Sequence, residues 1–171
     1  MSSHEIERFL SAWEFESKLT VNLLNTLPKD QYDFRPDPGG RSLGELAWHL
    51  AEIEGIMTTI AVKRDFGAPM PAGLERPRTV PELATGYERI HREAVERVRA
   101  IRPEDLDRTF PFFGGQSISV RHVLWTPLLH HLIHHRGQLM MMIRMAQGVP
   151  SRIYGPMRED DAAMRAKAQG R

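Results

Sequence analysis

The sequence contains no cysteine. That removes disulfides, thiolate metal ligands and a cysteine nucleophile at once. An excess of charge of either sign is also missing: 23 Lys and Arg face 22 Asp and Glu, a formal net charge of +1. The basic residues are scattered, so no concentrated basic face is available for nucleic acid. No segment reaches the roughly 20 apolar residues that a helical membrane span requires. The opening MSSHEIERFL is polar and carries no apolar signal core. Together these absences predict a soluble, cytoplasmic protein that binds neither nucleic acid nor membrane. What remains is ordinary globular composition, 41% hydrophobic and 26% charged over 171 residues. That length suits one compact domain with a real core, assigned here to 1–171.

Histidine is the abundant exception. There are eight, and five of them fall between His122 and His135. Around them the hydrophobic pattern is helical. Ser2 and Glu5 read as a capping box. Ile6, Phe9, Leu10, Trp13, Thr20, Leu24 and Leu27 then follow helical spacing, with a stop expected near Pro28. A proline- and glycine-marked loop, PKDQYDFRPDPGGR, leads to a second box at Ser42 and Glu45. The second helix carries Leu46, Ile53, Ile56, Met57 and Ile60 on one face and ends near Asp65. A third opens at Thr79, with Glu82 completing another box and Pro81 in the first turn. Its stripe is Leu83, Tyr87, Ile90, Ala94 and Ile101. A fourth runs from about Ser119 to Gln147, with a bend or break expected at Pro127. A short polar helix over 159–167 is expected to follow. No segment shows strand alternation. The fold class is therefore all-α, a four-helix bundle with a short C-terminal helix.

In the stretch HHLIHHRGQL, residues four apart share a helical face. Two pairs have that spacing: His130 with His134, and His131 with His135. The apolar cluster of Leu124, Leu128, Leu139 and Met142 encloses His131 and His135 and leaves the other pair outward. His49 sits on the apolar stripe of the second helix. A core imidazole needs a hydrogen-bond partner or a metal. One divalent ion satisfies all three, and three histidine ligands leave a coordination position open, as in catalytic sites. A lone core histidine is more commonly a satisfied structural residue. Glu52 lies nearer the inward face than Glu54, and both read by default as solvated helix flanks. Met140, Met141, Met142 and Met145 read as core or interface filler.

The strings RSLGELAWHLAEIE at 41–54, HHLIHHRGQLMMMIRMAQGVP at 130–150 and IYGP at 153–156 resemble the DinB-like superfamily, over nearly the whole chain. The resemblance implies a DinB-type four-helix bundle, usually a homodimer. It also implies a divalent ion, nickel or zinc, held by His49, His131 and His135. Some members transfer a low-molecular-weight thiol to an electrophilic small molecule. Others are regarded as hydrolases of a small amide or ester, and a non-catalytic stress protein with a stabilising metal is the third expectation. Glu52, Gln138 and Arg136 are the candidate catalytic side chains: the first two to orient a ligand or substrate, Arg136 to pair with an anionic group or to serve as a structural ion pair.

Overall fold

A computed structural model describes residues 3–169. The Ser2 half of the first capping box therefore lies outside the described residues. Helix α1 spans Ser3–Leu24 and buries Ile6, Phe9, Trp13, Ser17, Thr20, Leu23 and Leu24 at helical intervals. It stops four residues before Pro28. Its end is tightened by Thr26 N–H donating to the Leu23 carbonyl at 2.9 Å, and the Thr26 hydroxyl caps that carbonyl too.

Helix α2, Leu43–Lys63, begins with the expected box. Ser42 N–H donates to Glu45 Oε2 at 2.7 Å, and Glu45 N–H donates to Ser42 Oγ at 3.2 Å. Gly44 is required by the loop above it: a Cβ there would sit 2.3 Å from the Tyr32 ring. Burial on α2 runs almost all round its axis, from Leu43 to Ala61. A helix apolar on every side is the centre of its bundle, and α2 packs on both α3 and the final long helix.

Helix α3 spans Val80–Arg99, with Pro81 in its first turn. The expected box at Thr79 does not form. The Thr79 hydroxyl donates to the Glu82 carboxylate, so it accepts no backbone bond. A short antiparallel hairpin follows, β1 (Thr109–Pro111) with β2 (Ser117–Ser119), in register Phe110 opposite Ile118. It corrects the expectation of no strands. Its turn uses Gly114 and Gly115, both at positive φ (72° and 75°).

The last bundle helix is continuous but changes its bonding. It comprises α4 (Val120–Val123), a π-helical stretch Leu124–His130, and α5 (His131–Met145). Pro127 lies in the π-helical stretch. Proline cannot donate, and the wider turn lets His131 N–H reach back to the Thr126 carbonyl. Helix α6, Arg158–Gln169, follows and is tied to α5 by the Arg144–Glu159 fork at 2.8 and 3.0 Å. The four long helices enclose a core built on Phe9, Trp13, Trp48 and Tyr87. Among the described residues no helix is long and apolar enough to cross a membrane.

Candidate metal centre

The α2/α5 seam brings together the three histidines that the apolar stripes single out. His49 comes from the first half of α2, and His131 and His135 are successive turns of α5. One nitrogen from each ring lies within 4.8 Å of the other two. Ring centroids are 5.8 Å apart for His49–His131, 4.9 Å for His49–His135 and 4.5 Å for His131–His135. All three side chains are half-buried, so the cluster meets solvent at one edge.

Each ring is held from behind. His49 Nδ1 is 3.0 Å from Glu52 Oε2, and Arg76 braces Glu52 at 3.6 Å and Glu45 at 3.2 Å. His135 Nδ1 is 2.6 Å from Gln138 Oε1. The Pro127 carbonyl is hydrogen-bonded to the His131 imidazole. Carboxylate, amide and peptide oxygens only accept, so in each neutral ring the bonded nitrogen carries the proton. The other nitrogen then presents its lone pair. His131 Nε2 and His135 Nε2 stand 2.7 Å apart. Two facing lone pairs at that distance repel unless a proton or a cation lies between them. The chemistry of this donor set therefore fits a divalent ion, and second-nitrogen bonds of this kind fix the rings of metal-ligating histidines.

The electrostatics favour the neutral form of the two α5 rings. Burial, then the nearby charge of His49, lowers the His131 pKa. Burial lowers that of His135 to about 4, with His131 and His49 adding to the effect and the Gln138 bond opposing it. Glu52 is held below its ordinary value, first by the His49 hydrogen bond and also by Arg76.

The other candidates separate. Glu52 and Gln138 stand beside the histidines. Arg136 does not: it is 2% exposed and points across the bundle to α1. There it bonds the Glu16 carboxylate, the Glu16 carbonyl at 2.8 Å and the Tyr154 hydroxyl at 2.6 Å. His130 and His134 face outward, as their place on the helical wheel requires.

Sequence reasoning missed a second polar cluster. Glu54, read as a solvated flank, is 0% exposed. Its carboxylate accepts from Trp13 Nε1 at 2.9 Å, the Tyr87 hydroxyl at 2.5 Å and His91 Nδ1 at 2.7 Å. A signal was present: its own helical row, Ala47, Leu50, Thr58 and Ala61, carries no charge and is buried throughout.

Relatives agree with this architecture. The sequence profile of the DinB superfamily matches residues 12–139. The chain is 29% identical over 160 residues to the uncharacterised protein YrdA of Bacillus subtilis (strain 168), covering 91% of each. A crystallised DinB-like protein from Bacillus cereus ATCC 10987 is similar at TM-score 0.72 and 26% identity, over 86% of this chain and 97% of that one. The DinB-like protein YjoA of Bacillus subtilis shares the fold at TM-score 0.67 and 19% identity, over 88% and 96%. With the profile spanning most of the bundle, including His49, His131 and His135, the chain belongs to the DinB superfamily.

Proposed function

We propose that His49, His131 and His135 hold one divalent ion, nickel or zinc, and that the protein is a metal-dependent enzyme joining a low-molecular-weight thiol to an electrophilic small molecule. The observation that carries the metal assignment is the convergence of three imidazoles whose second nitrogens are each committed elsewhere. Three neutral ligands leave the ion's charge uncompensated and one side of it open. When bound, such an ion supplies a Lewis acid that favours the thiolate form of a coordinated thiol near neutral pH. The chain has no cysteine, so the thiol belongs to the substrate.

Its own residues have narrower tasks. Glu52 and Gln138 are positioning residues: each fixes one ring so that its lone pair points inward. Glu52 is a poor base, because His49 and Arg76 stabilise its ionised form. Arg136 serves packing between α5 and α1. A homodimer is expected to pair through exposed Met141 and Met145 on α5.

The test begins with elemental analysis of the purified protein beside His49→Ala. Near one equivalent of metal is expected in the first and little in the second. Thiol conjugation to a model electrophile is then assayed in the loaded protein and in His131→Ala. Turnover of a small ester or amide without added thiol would replace the transferase reading with hydrolysis. A protein that holds metal, gains melting temperature from it and turns over neither class would be non-catalytic.

A further inference from the structure

A second site lies across the bundle. Helices α1 and α2 each pack on α3 and on α5, so the α1/α3 seam is opposite the α2/α5 seam that carries the metal centre. It opens as a groove of about 690 Å³. At its floor is His91, whose side chain is 13% exposed. The ring is fixed on three sides. Nδ1 is 2.7 Å from the buried Glu54 carboxylate, Trp13 meets the ring edge-on at 4.8 Å, and Tyr87 stacks along it at 6.0 Å. Nε2 has no hydrogen-bond partner among the described residues, yet it is not sealed in the core.

A carboxylate behind one imidazole nitrogen, with the other open to a cavity, is the arrangement that lets histidine take up or release a proton. Glu54 supplies a fixed acceptor for the Nδ1–H, so that Nε2 is the nitrogen left to exchange a proton. The walls beside His91 are apolar, from Val21 and Val95. At the rim, Arg99 is engaged by Glu14 at 3.5 Å and Glu96 at 2.7 Å. Lys18 and Arg92 line the groove without an ion pair among the described residues; its acids are Glu14 and Glu96, both on Arg99, and Glu88. Apolar walls with a few convergent polar groups are how small-molecule sites are built.

We propose that this groove binds a small organic acid, its apolar body between Val21 and Val95 and its carboxylate on His91 Nε2. The acid binds as its anion, already ionised near neutral pH, and Nε2 takes a proton from solvent to form Nε2–H. The anion then pairs with the imidazolium, Glu54 accepts from its Nδ1–H behind, and Lys18 and Arg92 are the cations of the lining free to approach the carboxylate. The site is independent of the metal centre and of the proposed activity.

Benzoate is the probe, with neutral benzamide as its control. The full chain, carrying labelled histidine rings, is titrated by NMR, in wild type and in His49→Ala. Benzoate is expected to move the His91 ring resonances saturably in both proteins, and benzamide to leave them in place. By calorimetry, His91→Gln, which keeps a donor toward Glu54, is expected to weaken benzoate about tenfold or more, the loss of a charge-assisted hydrogen bond. Arg92→Ala, on an exposed position, is expected to weaken it less while leaving the circular dichroism spectrum unchanged. Unmoved His91 resonances, equal binding of benzamide, or a response that disappears in His49→Ala would each overturn the proposal. The last would place the anion at the metal centre.

Discussion

Replacing Glu54 by alanine tests how the interior of this bundle is held together. The carboxylate joins three helices: it sits on α2 and accepts from Trp13 on α1 and from Tyr87 and His91 on α3. Trp13 is 0% exposed and Tyr87 1%, so water cannot readily replace the acceptor. An orphaned buried donor costs about 1–3 kcal/mol. The Trp13 N–H has no alternative partner among the described residues and takes that full penalty. The Tyr87 hydroxyl retains Ser17 and Thr20, so its share is smaller. With the void left by the side chain, Glu54→Ala is expected to cost about 3–5 kcal/mol, the range for breaking a buried polar pair. That is a large part of the roughly 5–15 kcal/mol that keeps such a domain folded. With a urea m-value of about 2 kcal/mol/M, the unfolding midpoint falls by about 2 M. Glu54→Gln keeps an acceptor for Trp13 and Tyr87 and loses the charge and the acceptor toward His91, so about 1–2 kcal/mol is expected. The assay is urea unfolding of the metal-free proteins followed by far-ultraviolet circular dichroism. A Glu54→Ala midpoint within about 0.25 M of wild type, equivalent to the roughly 0.5 kcal/mol scatter of surface substitutions, would refute the reasoning. Burying the carboxylate would then cost as much as its three bonds return.

Three further outcomes are expected. Glu52→Ala and Gln138→Ala should each weaken metal binding about 10- to 100-fold, read by competition with a chromogenic chelator; unchanged affinity would show that these bonds do not fix the rings. Burial depresses the His131 and His135 pKa values, His135 to about 4, below the ordinary value near 6.5 of the unfolded chain. The unfolded state therefore binds more protons between about pH 6.5 and 4, and metal-free stability should fall as pH drops through that window. His135→Ala should flatten the slope in urea unfolding at pH 7, 6 and 5, and identical slopes would count against it. Arg136→Met leaves the Glu16 carboxylate with the Tyr154 hydroxyl but no countercharge and should lower stability by about 3 kcal/mol in thermal unfolding while leaving metal content unchanged; a loss of metal would bring Arg136 back to the site.

Much of this was legible because helical spacing sorts residues by face. His49, His131 and His135 stand out on apolar stripes, and the Ser42–Glu45 box fixes where α2 begins. Other features depend on partners that spacing does not show. Glu54 looks like a flank residue because its acceptors' partners come from α1 and α3, far away in sequence. Arg136 follows His135 directly, yet its helical angle turns it toward Glu16. Thr79 has the right neighbour for a box, but its hydroxyl donates to Glu82 where capping needs it to accept. The hairpin strands have three residues each, too few for alternation to register.

The π-helical stretch from Leu124 to His130 gives the last helix a surplus residue one step before the first α5 histidine. Slack of this kind is local and removable. Deleting Pro127 would allow ordinary α bonding and turn everything upstream by roughly a quarter of a revolution relative to α5. The hairpin and α4 would be re-aimed while His131 and His135 stayed in place. The π-helical stretch thus sets the angle between the histidine-bearing helix and the hairpin end of the bundle.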